Sequence, residues 1–183
     1  MVKKIAPISL MLISMLLTVS LCLTSVYAGD DIELAGNIVL VSLTVAAGGN
    51  TLVRDDREGM VQYTKSLLVT LGTTGLLKYT IDEERPNGKS HSFPSAHTSM
   101  AFSGATFLQQ RYGWSSGVPA FVAASFVGWS RIESDNHYFK DVLAGAVIGV
   151  VSTYLLTDRY REKVVVTPFI GEETYGMLLQ AVF

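Results

Sequence analysis

The chain has 183 residues, 49% of them hydrophobic and 16% charged, with a formal net charge of −2 and a mean hydropathy of +0.34. That length suits one domain with a single core. A slightly acidic chain without a basic face is no nucleic-acid binder, and a single cysteine, Cys22, allows neither an internal disulfide nor a cysteine-rich metal site.

The chain opens on Met1-Val2-Lys3-Lys4, and Ile5 to Ser25 follows without a charge. Val26-Tyr27-Ala28 then gives a small-x-small cleavage site before Gly29-Asp30-Asp31. That order predicts a signal peptide over residues 1–28, and with it an exported protein, periplasmic or membrane-associated. The alternative is an uncleaved anchor, since the 21 residues from Ile5 to Ser25 are just long enough to span a bilayer. Cleavage removes Lys3 and Lys4 and no acid, leaving 12 basic against 16 acidic residues, a net charge of −4. An anionic substrate must then be held by a local cluster of cations, because the global field does not favour it.

Beyond the signal the pattern is helical. Residues 32–48 are apolar and small, and Gly48-Gly49-Asn50 is expected to break the run. Asp55-Asp56 can cap a helix from about Arg57 to Tyr79. Asp82 to Phe93, with Pro86, Asn87 and Gly88, reads as a loop. Ser95 to about Tyr112 reads as a helix approached through Pro94 and ended by Gly113. A short apolar helix is expected over Gly117 to Trp129, a polar break over Glu133 to Asn136, and a last helix from His137 to about Tyr160. Several of these segments are apolar all round, which places them centrally in a core or in a membrane. Most run only 13–18 residues, so the expectation is a helical domain lying against a membrane rather than through it. The fold class is therefore all-α, a bundle of about five to six helices over residues 29–162. Two β-favouring runs around Gly171 to Gly176 predict a short C-terminal β-hairpin over residues 163–183.

Three clusters carry chemistry. Lys78 and Arg85, seven residues apart with Pro86 after them, can reach one point if the loop folds back. Arginine suits bidentate contact with phosphate oxygens, and lysine adds a compact charge. Alone, the pair reads more readily as a helix-end lysine meeting the dipole, followed by a surface arginine. In Pro94-Ser95-Ala96-His97, Ser95 is a natural N-cap, and first-turn N–H groups favour an anion. His97 would stand beside that anion, placed to hand a proton to a leaving oxygen. In Ser130-Arg131-x5-His137-x3-Asp141, Arg131 supplies a third cation. Asp141, four residues after His137 on an expected helix face, can fix the imidazole tautomer and leave the other nitrogen nucleophilic. A hydrogen-bonded i,i+4 pair that merely stabilises a helix is the plainer alternative.

Taken together, within residues 78–141, the clusters resemble the signature of the type 2 phosphatidic acid phosphatase superfamily, which also contains the vanadium haloperoxidases. Its pattern is K-x6-RP, then PSGH, then SR-x5-H-x3-D, and the one departure here is Ala96 in place of glycine. The resemblance implies a metal-independent phosphatase without a cofactor. Lys78, Arg85 and Arg131 would neutralise the phosphate oxygens, and Ser95 with the Ala96 N–H would complete the cradle. His137 would attack phosphorus to form a phosphohistidine, with Asp141 orienting it. His97 would protonate the leaving group. The implied substrate is a phosphate ester, with a lipid phosphate favoured by the apolar helices. The competing readings are a haloperoxidase-like enzyme, which the short chain disfavours, and a non-enzymatic envelope protein that binds lipid head groups, for which an oriented nucleophile would be superfluous.

Overall fold

The computed structural model describes residues 29–160, 163–170 and 175–182. The expected signal peptide, residues 1–28, lies outside the described residues. Five helices follow one another: α1 (Gly29–Val53), α2 (Arg57–Thr80), α3 (Ala96–Tyr112), α4 (Trp114–Glu133) and α5 (Phe139–Leu156). Two strands, β1 (Lys163–Ile170) and β2 (Tyr175–Val182), pair antiparallel from Lys163 opposite Val182 to Ile170 opposite Tyr175. The turn that would join them as a hairpin lies outside the described residues.

α3 is the axis of the bundle and packs against all four other helices. Its Ala101, Ala105, Phe107 and Leu108 are fully buried, against Ala120, Ala124 and Val127 of α4 and Leu43 and Ala47 of α1. The inner faces are small or hydroxylic rather than large. Buried hydroxyls join neighbouring helices: Thr74 donates to Ser99 across α2 and α3 at 3.0 Å, and Ser103 meets Thr153 across α3 and α5 at 2.7 Å. Gly145 and Gly149 of α5 sit directly on α3. A Cβ at Gly145 would stand 2.5 Å from the Ser95 carbonyl oxygen, and one at Gly149 2.3 Å from that of Ser99. A stripe of small residues four apart thus brings two backbones together, and it sets the start of α5 against the start of α3.

The outer faces are apolar. Leu34, Val41, Val45 and Leu52 of α1 are exposed, as are Val118 and Val122 of α4 and Leu143, Val147, Val151 and Leu155 of α5. Ile32–Val53 and Phe139–Leu156 are long and apolar enough to cross a membrane. Apolar faces this continuous on separate helices are built to meet an apolar medium.

Three expectations change. Gly48 and Gly49 do not break α1, which continues to Val53. There Asn50 Nδ2 donates to the Ala46 carbonyl at 3.0 Å and Thr51 Oγ1 to that of Gly48 at 2.6 Å. Each helical glycine costs about 1 kcal/mol relative to alanine, less than leaving backbone groups unpaired against an apolar neighbour. α4 starts at Trp114 rather than Gly117 and is 20 residues long; the helices as a whole run from 17 to 25 residues rather than 13–18. The last helix starts at Phe139, so His137 precedes it.

Candidate active site

The helices alternate in direction, so the ends of α2 and α4 and the starts of α1, α3 and α5 share one face of the bundle. A cavity of about 140 Å³ opens there, lined by Glu33, Lys78, Arg85, Ala96, His97, Arg131, Asn136 and His137. It has room for a small anion and is well below the size of a drug-like ligand site.

Lys78 arrives from the last turn of α2. Its ammonium donates to the carbonyls of His91 at 2.7 Å and Ser92 at 3.3 Å, pinning the return of the loop. Arg85 lies on that loop, which folds back as the sequence required. The Arg85 N–H donates to the Lys89 carbonyl at 2.7 Å, and Gly88, with φ of 79°, closes the turn by donating to the Arg85 carbonyl at 2.9 Å. The loop is tied across the cavity by the Asn87 N–H on the Asp135 carbonyl and Asn87 Nδ2 on Asn136 Oδ1. Arg85 Nε is buried without a hydrogen-bond partner.

Ser95 caps α3, its hydroxyl accepting from the Thr98 hydroxyl at 3.0 Å and from the Thr98 N–H at 3.5 Å. It is fully buried just behind the lining, and its own hydrogen stays free to donate. Ala96 and His97, in the first turn, face the cavity.

Arg131 is 1% exposed. Nε donates to Ser130 Oγ at 3.2 Å, Nη1 to Asn37 Oδ1 at 3.1 Å and Nη2 to the Glu33 carbonyl at 2.7 Å. α1 can come this close because of Gly36, where a Cβ would stand 2.5 Å from Arg131 Nη2.

His137 is held by its backbone: the N–H donates to the Arg131 carbonyl at 3.1 Å. Asp141 is fully buried and caps α5, Oδ2 accepting from the Tyr138 N–H at 3.0 Å and from the Ser92 hydroxyl. The same oxygen lies 3.6 Å from His137 Nδ1. The pair therefore meets across a helix cap rather than along a helix face, and Nε2 is the ring nitrogen turned away from the carboxylate. Asp141 itself is behind His137 and does not line the cavity.

Burial, then the Arg85 and Lys78 cations, pushes the His137 pKa down to about 4, with Asp141 pulling the other way. His97 is also held below its ordinary value, first by burial and then by Arg131, against an opposing pull from Glu33. A neutral, oriented imidazole beside cations is a nucleophile ready for an anionic electrophile.

The cavity thus brings together Lys78, Arg85, Ala96, His97, Arg131 and His137, with Ser95 and Asp141 directly behind. Sequence reasoning missed Glu33, Asn37, Ser92 and Asn136. Glu33 had a faint signal, as the last charge before 20 uncharged residues. Ser92 had only its place just upstream of Pro94.

Residues 87–164 match the sequence profile of the PAP2 superfamily. That stretch of the chain is similar to the PAP2 superfamily. The chain is 29% identical over 157 residues to a lipid A 4'-phosphatase of Helicobacter pylori, covering 76% of this chain and 79% of that protein. It is 42% identical over 79 residues to a lipid A 1-phosphatase of Porphyromonas gingivalis, a match that spans 40% of this chain and 18% of that protein. Its fold is similar to the crystal structure of Aquifex aeolicus LpxE, with a TM-score of 0.53 and 21% identity over 72% of this chain and 96% of that one.

Proposed function

We propose that the chain is a lipid phosphate phosphatase that works through a phosphohistidine on His137, with no metal or cofactor. The observation that carries this reading is the convergence of three cations and two imidazoles, from four separate stretches of sequence, on one cavity of about 140 Å³.

The geometry supports the following reaction. Lys78, Arg85 and Arg131 take the non-bridging oxygens, aided by the Ser95 hydroxyl and the N–H groups at the start of α3. His137 Nε2 attacks phosphorus, the P–N bond forms, and the P–O ester bond breaks. The departing oxygen takes a proton from His97. Asp141 balances the positive charge that develops on His137, and the Ser92 hydroxyl fixes that carboxylate. Catalytic hydrogen bonds tighten in the complex with substrate, and the 3.6 Å between Nδ1 and Oδ2 leaves room for that. A water then attacks phosphorus, His97 takes its proton, the P–N bond breaks, and phosphate leaves. Three fixed cations perform the charge stabilisation that a divalent ion supplies in other phosphatases.

The lipid assignment rests on the names of the relatives and on the apolar outer faces of α1, α4 and α5, which would seat the bundle in a bilayer. Residues 1–28 would direct export, placing the site on the outer side of the inner membrane.

The test is phosphate release by the purified full-length chain from lipid monophosphates and water-soluble esters, with and without EDTA. Release from lipid esters that persists in EDTA, is blocked by orthovanadate and passes through an acid-labile, base-stable phosphoenzyme supports the reading. An EDTA-sensitive reaction, or an acid-stable adduct, overturns the mechanism.

A further inference from the structure

The cavity contains one carboxylate that the reaction above does not use. Glu33 is the only acid lining it among the described residues. Its Oε1 lies 3.6 Å from Arg131 Nη1, while its backbone carbonyl accepts from Nη2 of the same guanidinium at 2.7 Å. Asn37, one turn on, accepts from Nη1. A carboxylate beside a phosphate seat repels the ligand, so its presence there calls for a function.

The two halves of Glu33 behave differently. The carbonyl is fixed by the backbone of α1 and holds Arg131 together with the Asn37 side-chain amide. The side chain is 45% exposed and can turn outward without releasing the guanidinium. We propose that Glu33 is a resident counter-anion of the phosphate pocket: it neutralises Arg131 while the pocket is empty, yields to an incoming phosphoryl group, and returns to hasten departure of inorganic phosphate. The proposal rests on the phosphatase reading of the same pocket.

A second consequence concerns His97. That imidazole faces Arg131 from α4, Glu33 from α1, Lys78 from α2, Arg85 from the loop and His137 across the cavity. Glu33 is the one of these that favours its protonated form, the form needed to protonate a leaving oxygen.

The test is Glu33→Gln, which keeps size and removes charge, with Glu83→Gln as control. Glu83 pairs with Lys140 outside the cavity. Inhibition by inorganic phosphate and by orthovanadate is measured against turnover of a lipid monophosphate ester. In Glu33→Gln both inhibition constants should fall about two- to five-fold, the range expected for a half-exposed ion pair. KM should fall with them, kcat should fall where release is limiting, and the alkaline limb of kcat/KM should move to lower pH. Glu83→Gln should change none of these. Unchanged or weaker inhibition in Glu33→Gln overturns the proposal, the weaker case showing that the side chain only positions Arg131. If the unaltered protein is inhibited by neither anion, the phosphatase reading itself fails, an outcome separate from failure at Glu33.

Discussion

Arg111 and Arg131 each lie in the last turn of a helix, at opposite ends of the bundle, 4% and 1% exposed. Arg111 meets a full carboxylate in fork geometry: Nε donates to Asp56 Oδ2 at 2.8 Å and Nη2 to Oδ1 at 2.6 Å. Tyr112 and the Gly59 N–H complete the shell of Asp56. Arg131 instead donates to neutral oxygens, with one half-exposed carboxylate at 3.6 Å, and shares its cavity with Lys78 and Arg85. One end is closed by its own anion. The other has cations in excess and a seat left for an anion from outside. Burial of an arginine therefore says little until its partner is named.

The sharpest way to break this contrast is to remove the proposed nucleophile from the open end. His137→Ala should lower turnover by at least about a thousandfold, the scale for losing a covalent catalyst. Thermal stability should stay close to that of the parent, because the closed end is untouched. Normal phosphate release from this variant would refute the assignment of His137. The converse change, Asp56→Ala, strips the closed end of its buried anion and leaves Arg111 only the Asp158 carbonyl at 3.0 Å and the exposed Glu58 carboxylate at 3.7 Å. Stability should fall by about 3–5 kcal/mol, read by thermal or chemical unfolding, while kcat of the folded fraction is retained. Equal loss of stability in both variants would show that the two ends are not differently built.

How much of this the sequence displayed follows the same divide. Lys78, Arg85, His97, Arg131 and His137 were legible only as a set: each cluster alone has an ordinary structural reading, and it is the resemblance of all three in order to one superfamily signature that singled them out. The cap at Asp56 and the helix over residues 57–80 were legible from local chemistry. What stayed hidden depends on long-range contact. His137 was expected on the last helix; the backbone bond to Arg131 and the Asp141 cap on Tyr138 place it before that helix. The continuation of α1 through Gly48 and Gly49 went unread, although Asn50 and Thr51 bond back to Ala46 and Gly48 within the same helix. Glu33 and Asn37 reach Arg131 across 98 and 94 residues, which no local pattern reveals. The Asp56–Arg111 pair was invisible for the same reason.

pH separates the two ends next. At the open end, His137 must be neutral and His97 protonated. With His137 at about 4 and His97 held below 6.5, kcat/KM should peak between those values, once the titration of the substrate is corrected for. At the closed end, burial alone would raise the Asp56 carboxyl, but hydrogen bonds from Arg111, Gly59 and Tyr112 outweigh it and hold the pKa below its usual 3.8. A depressed carboxylate contributes stability that is complete above the unfolded value and lost as pH falls through the folded one. The two depressed imidazoles obey the same linkage in a higher window: the unfolded chain protonates them first, so the melting temperature should begin to fall below about pH 6.5, and the Asp56 contribution should be lost only below 3.8. In His137→Ala the first fall should shrink and the second remain; an unchanged first fall would show that it does not arise at the open end.

The smallest expected effect is at Ala96, where this chain departs from the glycine of the superfamily pattern. Ala96 lines the cavity in the first turn of α3 and retains the backbone N–H that a phosphate would use. Ala96→Gly removes one methyl group from the wall and no charge. If the open end works mainly through its cations, inhibition by inorganic phosphate should change by no more than about fourfold, since a single methylene is worth about 0.8 kcal/mol. Stability should fall by up to about 1 kcal/mol, the ordinary cost of glycine in a helix. A tenfold or larger change in phosphate inhibition would mean that the wall of the cavity selects by shape as strongly as by charge. The open end would then be as closely fitted to its ligand as the closed end is to Asp56, and the contrast between them would lie in which anion is supplied rather than in how tightly it is held.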